Sequence, residues 1–216
     1  MDFEGVNSVE LQGQLCWPEL KYTTTGKALI RAKIGVPSVD EGSGMEKLSY
    51  VRVVAWEELA EYLNTLENRS RVHVSGRIQE RSFKNREGKK QNITEIVLDG
   101  AEPAESEEGI NRFYLRGEIV WPELKTVGER QSPLFKSKII VPFFREDDPE
   151  TLRRSYIRIT AWDERAEGLG AAGEGAVVEV SGHIQERSWK TPEGQTRLFT
   201  DAVVTNYVGG EVGNAT

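Results

Sequence analysis

The chain repeats itself once, and that duplication limits what it folds into more than any other feature. Leu11-Gln12-Gly13 through Trp17-Pro18-Glu19-Leu20-Lys21 returns as Leu115-Arg116-Gly117 through Trp121-Pro122-Glu123-Leu124-Lys125. Tyr50-Val51-Arg52-Val53-Val54-Ala55-Trp56 returns as Tyr156-Ile157-Arg158-Ile159-Thr160-Ala161-Trp162. Val74-Ser75-Gly76-Arg77-Ile78-Gln79-Glu80-Arg81-Ser82-Phe83-Lys84 returns as Val180-Ser181-Gly182-His183-Ile184-Gln185-Glu186-Arg187-Ser188-Trp189-Lys190. The segments keep their order, and the period of roughly a hundred residues is too long for a solenoid repeat, so it means two tandem domains. The expected boundaries are a first domain over 1–100, an acidic, Pro-broken linker over 101–110, a second domain over 111–208 and a loose tail over 209–216.

Within each copy the apolar residues alternate with a period of two. Val9, Leu11, Gly13 and Leu15 alternate with Glu10, Gln12 and Gln14 over residues 8–16. Ile30, Ala32, Ile34 and Val36 alternate with Arg31 and Lys33 over 28–36. Strands three and four are expected over 50–56 and 71–83, with a short helix from Glu57 to Leu66 between them. Asn85-Arg86-Glu87-Gly88-Lys89 reads as a hairpin tip, matched by Pro192-Glu193-Gly194, and strand five follows over 91–98. The order β-β-β-α-β-β is that of an OB barrel. The expected fold is all-β with one short helix per domain: two tandem OB-fold five-stranded barrels.

The parity of the strands separates a core face from a polar face that carries aromatic rings. Val51, Val53 and Ala55 fall on one side of strand three, and Tyr50, Arg52, Val54 and Trp56 on the other. In strand four His73, Ser75, Arg77, Gln79, Arg81 and Phe83 oppose Val72, Val74, Gly76 and Ile78. The second copy repeats both patterns. Rings in a strand ordinarily pack in a core. Here their parity opposes that at Tyr50, Trp56 and Phe83, and again at Tyr156, Trp162 and Trp189. Exposed rings mixed with cations suit single-stranded nucleic acid, whose bases stack while the cations track phosphates. The candidate phosphate contacts are Arg31, Lys33, Arg52, Arg77, Arg81 and Lys84, with Lys136, Lys138, Arg158, Arg187 and Lys190 in the copy. Trp17 and Trp121, each before a proline, read as barrel caps or oligomer contacts in preference to base stacking.

A net charge of −7 argues mildly against a nucleic-acid ligand until positions are considered. Many acids lie away from the ring-bearing face, on the helix at Glu57, Glu58 and Glu61, in the linker, and at Glu146-Asp147-Asp148. Two histidines and the single Cys16 are too few for a protein-built zinc site. Cys16 excludes an internal disulfide and fits a reducing cytosol. No secretory signal or membrane-spanning run is visible. There is no Gly-rich phosphate loop, and His73 and His183 are not equivalent in the repeats, so neither catalysis nor a cofactor is expected.

On these residues the chain resembles the bacterial single-stranded DNA-binding protein family, in both repeats. Trp17-Pro18-Glu19-Leu20-Lys21-Tyr22 is similar to the family's loop after strand one, usually Asp-Pro-Glu-x-Arg-Tyr. Tyr50 to Trp56 with Glu58-Leu59-Ala60-Glu61 resembles its aromatic-x-Arg-Val-Val segment leading into the helix. Val74 to Phe83, then Gly88 and Thr94-Glu95-Ile96-Val97, resembles its last hairpin. The resemblance implies base stacking at Tyr50, Trp56, Phe83, Tyr156, Trp162 and Trp189. It also implies sequence-tolerant binding that protects single strands in replication, recombination or repair. Tandem members form dimers, so a homodimer with four barrels is expected. The end, Val212-Gly213-Asn214-Ala215-Thr216, has no acidic-hydrophobic tip of the kind that recruits partner proteins. Either that route is absent or the sequence is a piece of a longer one. Tyr22 is matched by Thr126, so the two barrels need not bind alike. An RNA binder, a protein-interaction module and a replication-restart accessory remain open alternatives.

Overall fold

A computed structural model describes residues 3–39, 44–84, 88, 90–145, 148–190 and 196–212. The first copy runs β1 (Val6–Tyr22), β2 (Ala28–Val39), β3 (Glu46–Trp56), α1 (Glu57–Thr65), β4 (Arg71–Lys84) and β5 (Lys90–Pro103). The second runs β6 (Ile110–Val127), β7 (Ser132–Arg145), β8 (Asp148–Trp162), α2 (Asp163–Ala172), β9 (Ala176–Lys190) and β10 (Thr196–Val212). The order is the one expected from the alternation, and the first strand of each copy runs past the Trp-Pro dipeptide that seemed to end it.

β1 is long because it serves two ladders. It pairs antiparallel with β4 over Val9–Gln14 and with β2 from Gln14 to Tyr22. β2 pairs with β3, β3 runs parallel to β5, and β5 pairs with β4, which closes a five-stranded barrel. The second copy closes through the same set of pairings, β6 with β7 and β9, β7 with β8, and β8 parallel to β10 beside β9. These are two OB barrels.

Closure explains glycines that both copies share. A Cβ on Gly13 would stand 2.3 Å from the Gly35 carbonyl oxygen, and one on Gly76 would stand 2.3 Å from that of Val97. Gly117 and Gly182 meet the carbonyls of Ile140 and Val203 in the same way. At these crossings backbone approaches backbone, and a side chain has no room.

Leu11, Leu15, Ile30, Ile34, Val53 and Ile96 fill the first barrel, and Phe113, Leu115, Ile119, Phe135, Ile139 and Ile159 fill the second. The helices close the barrels with a narrow apolar stripe: Ala60 and Leu63 in α1, Ala166 and Leu169 in α2. Glu57-Glu58 and Asp163-Glu164 fill the first helical turns, where carboxylates complement the helix dipole.

The chain divides into two compact units. One combines Ser8–Arg112 with Gln185–Thr200 from the second copy; the other contains Phe113–Ile184 and segments from both termini. In the former, residues 104–109 have no regular structure but are tied to the barrel. Gln12 Nε2 donates to the Glu108 carbonyl at 2.8 Å, and Arg71 pairs with Glu107 at 3.6 Å. Among the described residues no helix is long and apolar enough to cross a membrane.

Candidate nucleic-acid interface

β3 turns Val51, Val53 and Ala55 into the barrel, all fully buried, and leaves Tyr50, Arg52 and Trp56 on its outer side. The ladder to β2 places Gly35 opposite Tyr50, Lys33 opposite Arg52, Arg31 opposite Val54 and Leu29 opposite Trp56. Residues directly opposite in an antiparallel ladder share a face, so rings and cations form one surface. A Cβ on Gly35 would stand 3.2 Å from Tyr50 Cε1, so the tyrosine ring lies over the glycine. Trp56 is 42% exposed and sits at a sharp strand-to-helix turn, because Glu57 after it has φ 52°.

The second copy repeats the arrangement. Lys138 stands opposite Arg158, Ile140 opposite Tyr156, Lys136 opposite Thr160 and Leu134 opposite Trp162. Tyr156 is exposed and Trp162 half-buried, followed by Asp163 at φ 53°. Parity fails at one position in each copy. Val54 and Thr160 lie on the outer side by alternation but are buried, so the strand is covered on both sides there.

A lysine directly opposite an arginine is a like-charge pair, which a sheet holds only at a cost. In the first unit a carboxylate offsets it. Glu186 of β9 accepts from Lys33 Nζ at 2.8 Å and from the Arg52 backbone N–H at 3.0 Å, with Arg52 Nε at 3.9 Å. The Glu186 side chain is only 8% exposed. Sequence reading missed this residue, since a glutamate in a strand carries no signal for a partner so distant along the chain.

The outer face of β4 is more heavily paired than its sequence shows. Arg77 is exposed, whereas Arg81 Nε donates to the buried Glu95 at 3.1 Å. His73 lies between two carboxylates, with Nε2 2.7 Å from Glu10 and Nδ1 3.1 Å from Glu102. Arg112 pairs with the other Glu10 oxygen. Burial pushes the Glu10 carboxyl up, but the hydrogen bonds from His73 and Arg112 outweigh it and hold it below the usual carboxylate range. Arg187 donates twice to Gln185. Arg31 and Lys136 are exposed, and Lys138 and Arg158 half-buried. The side chains of Phe83, Lys84, Trp189 and Lys190 lie outside the described residues, as do Asn85, Arg86, Glu87, Lys89, Pro192, Glu193 and Gly194 of the hairpin tips and Glu146 and Asp147.

Trp17 and Trp121 are 60% and 62% exposed. The β1–β2 register shifts between Cys16 and Glu19, and the β6–β7 register between Val120 and Glu123, so each Trp-Pro forms a bulge. The Trp17 ring lies 5.1 Å from that of Tyr50 at 42°, and Trp121 stacks on Tyr156 at 5.6 Å and 13°.

An OB barrel with rings and opposed cations on one outer face belongs to the class of protein that takes up single-stranded nucleic acid. Comparison with known proteins narrows the class. A model of the "Single-strand binding protein family" matches residues 6–103. The single-stranded DNA-binding protein B of Bacillus subtilis is 39% identical over 98 residues, which is 43% of this chain and 85% of that one. The single-stranded DNA-binding protein 3 of Listeria innocua is 33% identical over 106 residues, 48% of this chain and 66% of that one. The chain belongs to the single-strand binding protein family. Its fold is similar over 99% of its length to wild-type single-stranded DNA binding protein from Thermus aquaticus, with TM-score 0.76, 21% identity and 97% of that chain covered.

Proposed function

We propose that this chain binds single-stranded DNA with little sequence preference, through the outer β2–β3 face of the first barrel and the matching β7–β8 face of the second. Tyr50, Trp56, Tyr156 and Trp162 stack bases, with Phe83 and Trp189 at the hairpins. Arg31, Lys33, Arg52, Arg77, Arg81 and Lys84 neutralise phosphates in the first copy, and Lys136, Lys138, Arg158, Arg187 and Lys190 do so in the second. The observation that carries this reading is the lysine-opposite-arginine pair flanked by rings, found at the same ladder position in both copies. Opposed cations repel each other across the ladder, and a polyanion laid over them relieves that repulsion. The protein acts without catalysis or cofactor, in the cytoplasm, protecting single strands during replication, recombination or repair. Two chains associate into a homodimer that presents four barrels, which sedimentation or light scattering would register as a mass of two chains.

Titration of intrinsic tryptophan fluorescence with oligo-dT, matched RNA and duplex at two salt concentrations tests the reading. Quenching strongest with the DNA single strand and weakened by salt supports it. Equal or stronger binding of RNA would move the substrate class, and no binding at low salt would refute it.

A further inference from the structure

We propose that Trp17 and Trp121 are additional base-stacking residues that extend the ring platform from β3 onto the bulge of β1 in the first barrel, and from β8 onto the bulge of β6 in the second. The inference rests on the single-strand reading above.

The backbone carries the first argument. Trp17 has φ 51° and Trp121 φ 52°, in the left-handed region that a bulky side chain adopts only under strain. Burial does not account for it, because Trp17 and Trp121 are both more than half exposed. Neither local preference nor core packing accounts for a tryptophan there, and the same anomaly occurs twice. The barrel-cap expectation therefore does not hold, because a cap would bury its ring.

Placement carries the second. A β-bulge re-aims a side chain, and here the two bulges bring the indoles beside Tyr50 on the outer side of β3 and Tyr156 on that of β8. Trp17 is further fixed by its backbone N–H, which donates to Asn68 Oδ1 at 2.9 Å. The result is a two-ring step, tilted in the first barrel and nearly parallel in the second. Exposed rings held at fixed geometry fit a planar ligand with a π face, and a nucleobase is that ligand on this surface.

Glycine at these positions separates binding from folding, because it accepts positive φ without strain. The W17G/W121G variant is expected to keep or raise its melting temperature, keep its mass, and bind labelled oligo-dT about tenfold more weakly by anisotropy. W17F/W121F, which restores a ring, is expected to recover most of that loss. On the unmodified chain, photocross-linking with oligonucleotides carrying 5-iododeoxyuridine is expected to mark Trp17 and Trp121, whatever the variants do. Unchanged affinity of W17G/W121G, while Y50A/W56A/Y156A/W162A binds weakly, would overturn the inference and leave the single-strand reading standing. If the four-ring variant also binds like the parent, the reading beneath fails and the inference with it. A fall in mass in W17G/W121G would assign the tryptophans to a subunit contact and overturn the inference too.

Discussion

The residues that matter most are those whose positions folding alone does not explain. Tyr50 and Trp56 sit on the outer side of a strand whose other side is packed solid, so removing them costs the core nothing. Each replaced by Ala is expected to weaken oligo-dT binding by about 1–3 kcal/mol with little change in melting temperature. Filter binding with a thermal melt on the same samples checks both halves. Glu186 differs, because it screens two cations from each other. Glu186→Gln is expected to lower the melting temperature of the free protein, since Lys33 and Arg52 lose their shared carboxylate. Saturating oligo-dT should recover that loss, with the salt dependence of binding steepened by roughly 0.7 for each phosphate the released cations take up. Melts with and without DNA across a salt series would show it. Outward-facing rings were legible from strand parity alone. Lys33 opposite Arg52 was not, since only the register between β2 and β3 sets it. Trp17-Pro18 carries a further signal in the sequence, since a proline inside a strand pattern marks a bulge.

At the scale of elements, the barrel rests on strand crossings that tolerate no side chain. Gly76→Ala drives a Cβ toward the Val97 carbonyl oxygen and is expected to cost about 1–3 kcal/mol of stability. Gly88→Ala, where no atom of the described residues lies within 4 Å of the added Cβ, provides a control for the loss of glycine's own freedom at positive φ. Chemical denaturation of the two variants would separate crowding from strain. The repeat of these glycines was visible in the sequence; the reason for it needed the ladder. The stretch after β5 shows another limit of sequence reading. Its acids and proline read as a free linker, yet residues 104–109 are tied to β1 and β4 through Gln12 and Arg71. The Glu10 cluster holds the same end. Because the folded-state pKa of Glu10 is lowered, its contribution to stability is present above the ordinary carboxylate range and is lost as pH falls through the lowered value. Glu10→Gln is therefore expected to flatten the acid limb of the stability–pH curve, as melts from pH 7 down to 3 would record.

For the whole molecule, duplication is the organising fact. A net charge of −7 is compatible with binding a polyanion because charge acts locally: opposed cations recur at one ladder position while acids fill the helix starts. The copies are not identical. Gly35 lets Tyr50 lie down on the sheet, whereas Ile140 stands opposite Tyr156, which is exposed and stacked on Trp121. The tyrosines are thus set differently on the two sheets, so the two faces are expected to differ in affinity.

The central claim is that both faces bind, and one comparison tests it directly: the amount of oligo-dT bound per chain at saturation in the parent, in Y50A/W56A and in Y156A/W162A. The account predicts that each double variant loses part of the capacity or affinity, that neither abolishes it, and that the combined variant loses nearly all. Full binding by either double variant, with no further loss on combining them, would show that the single strand runs over some other surface.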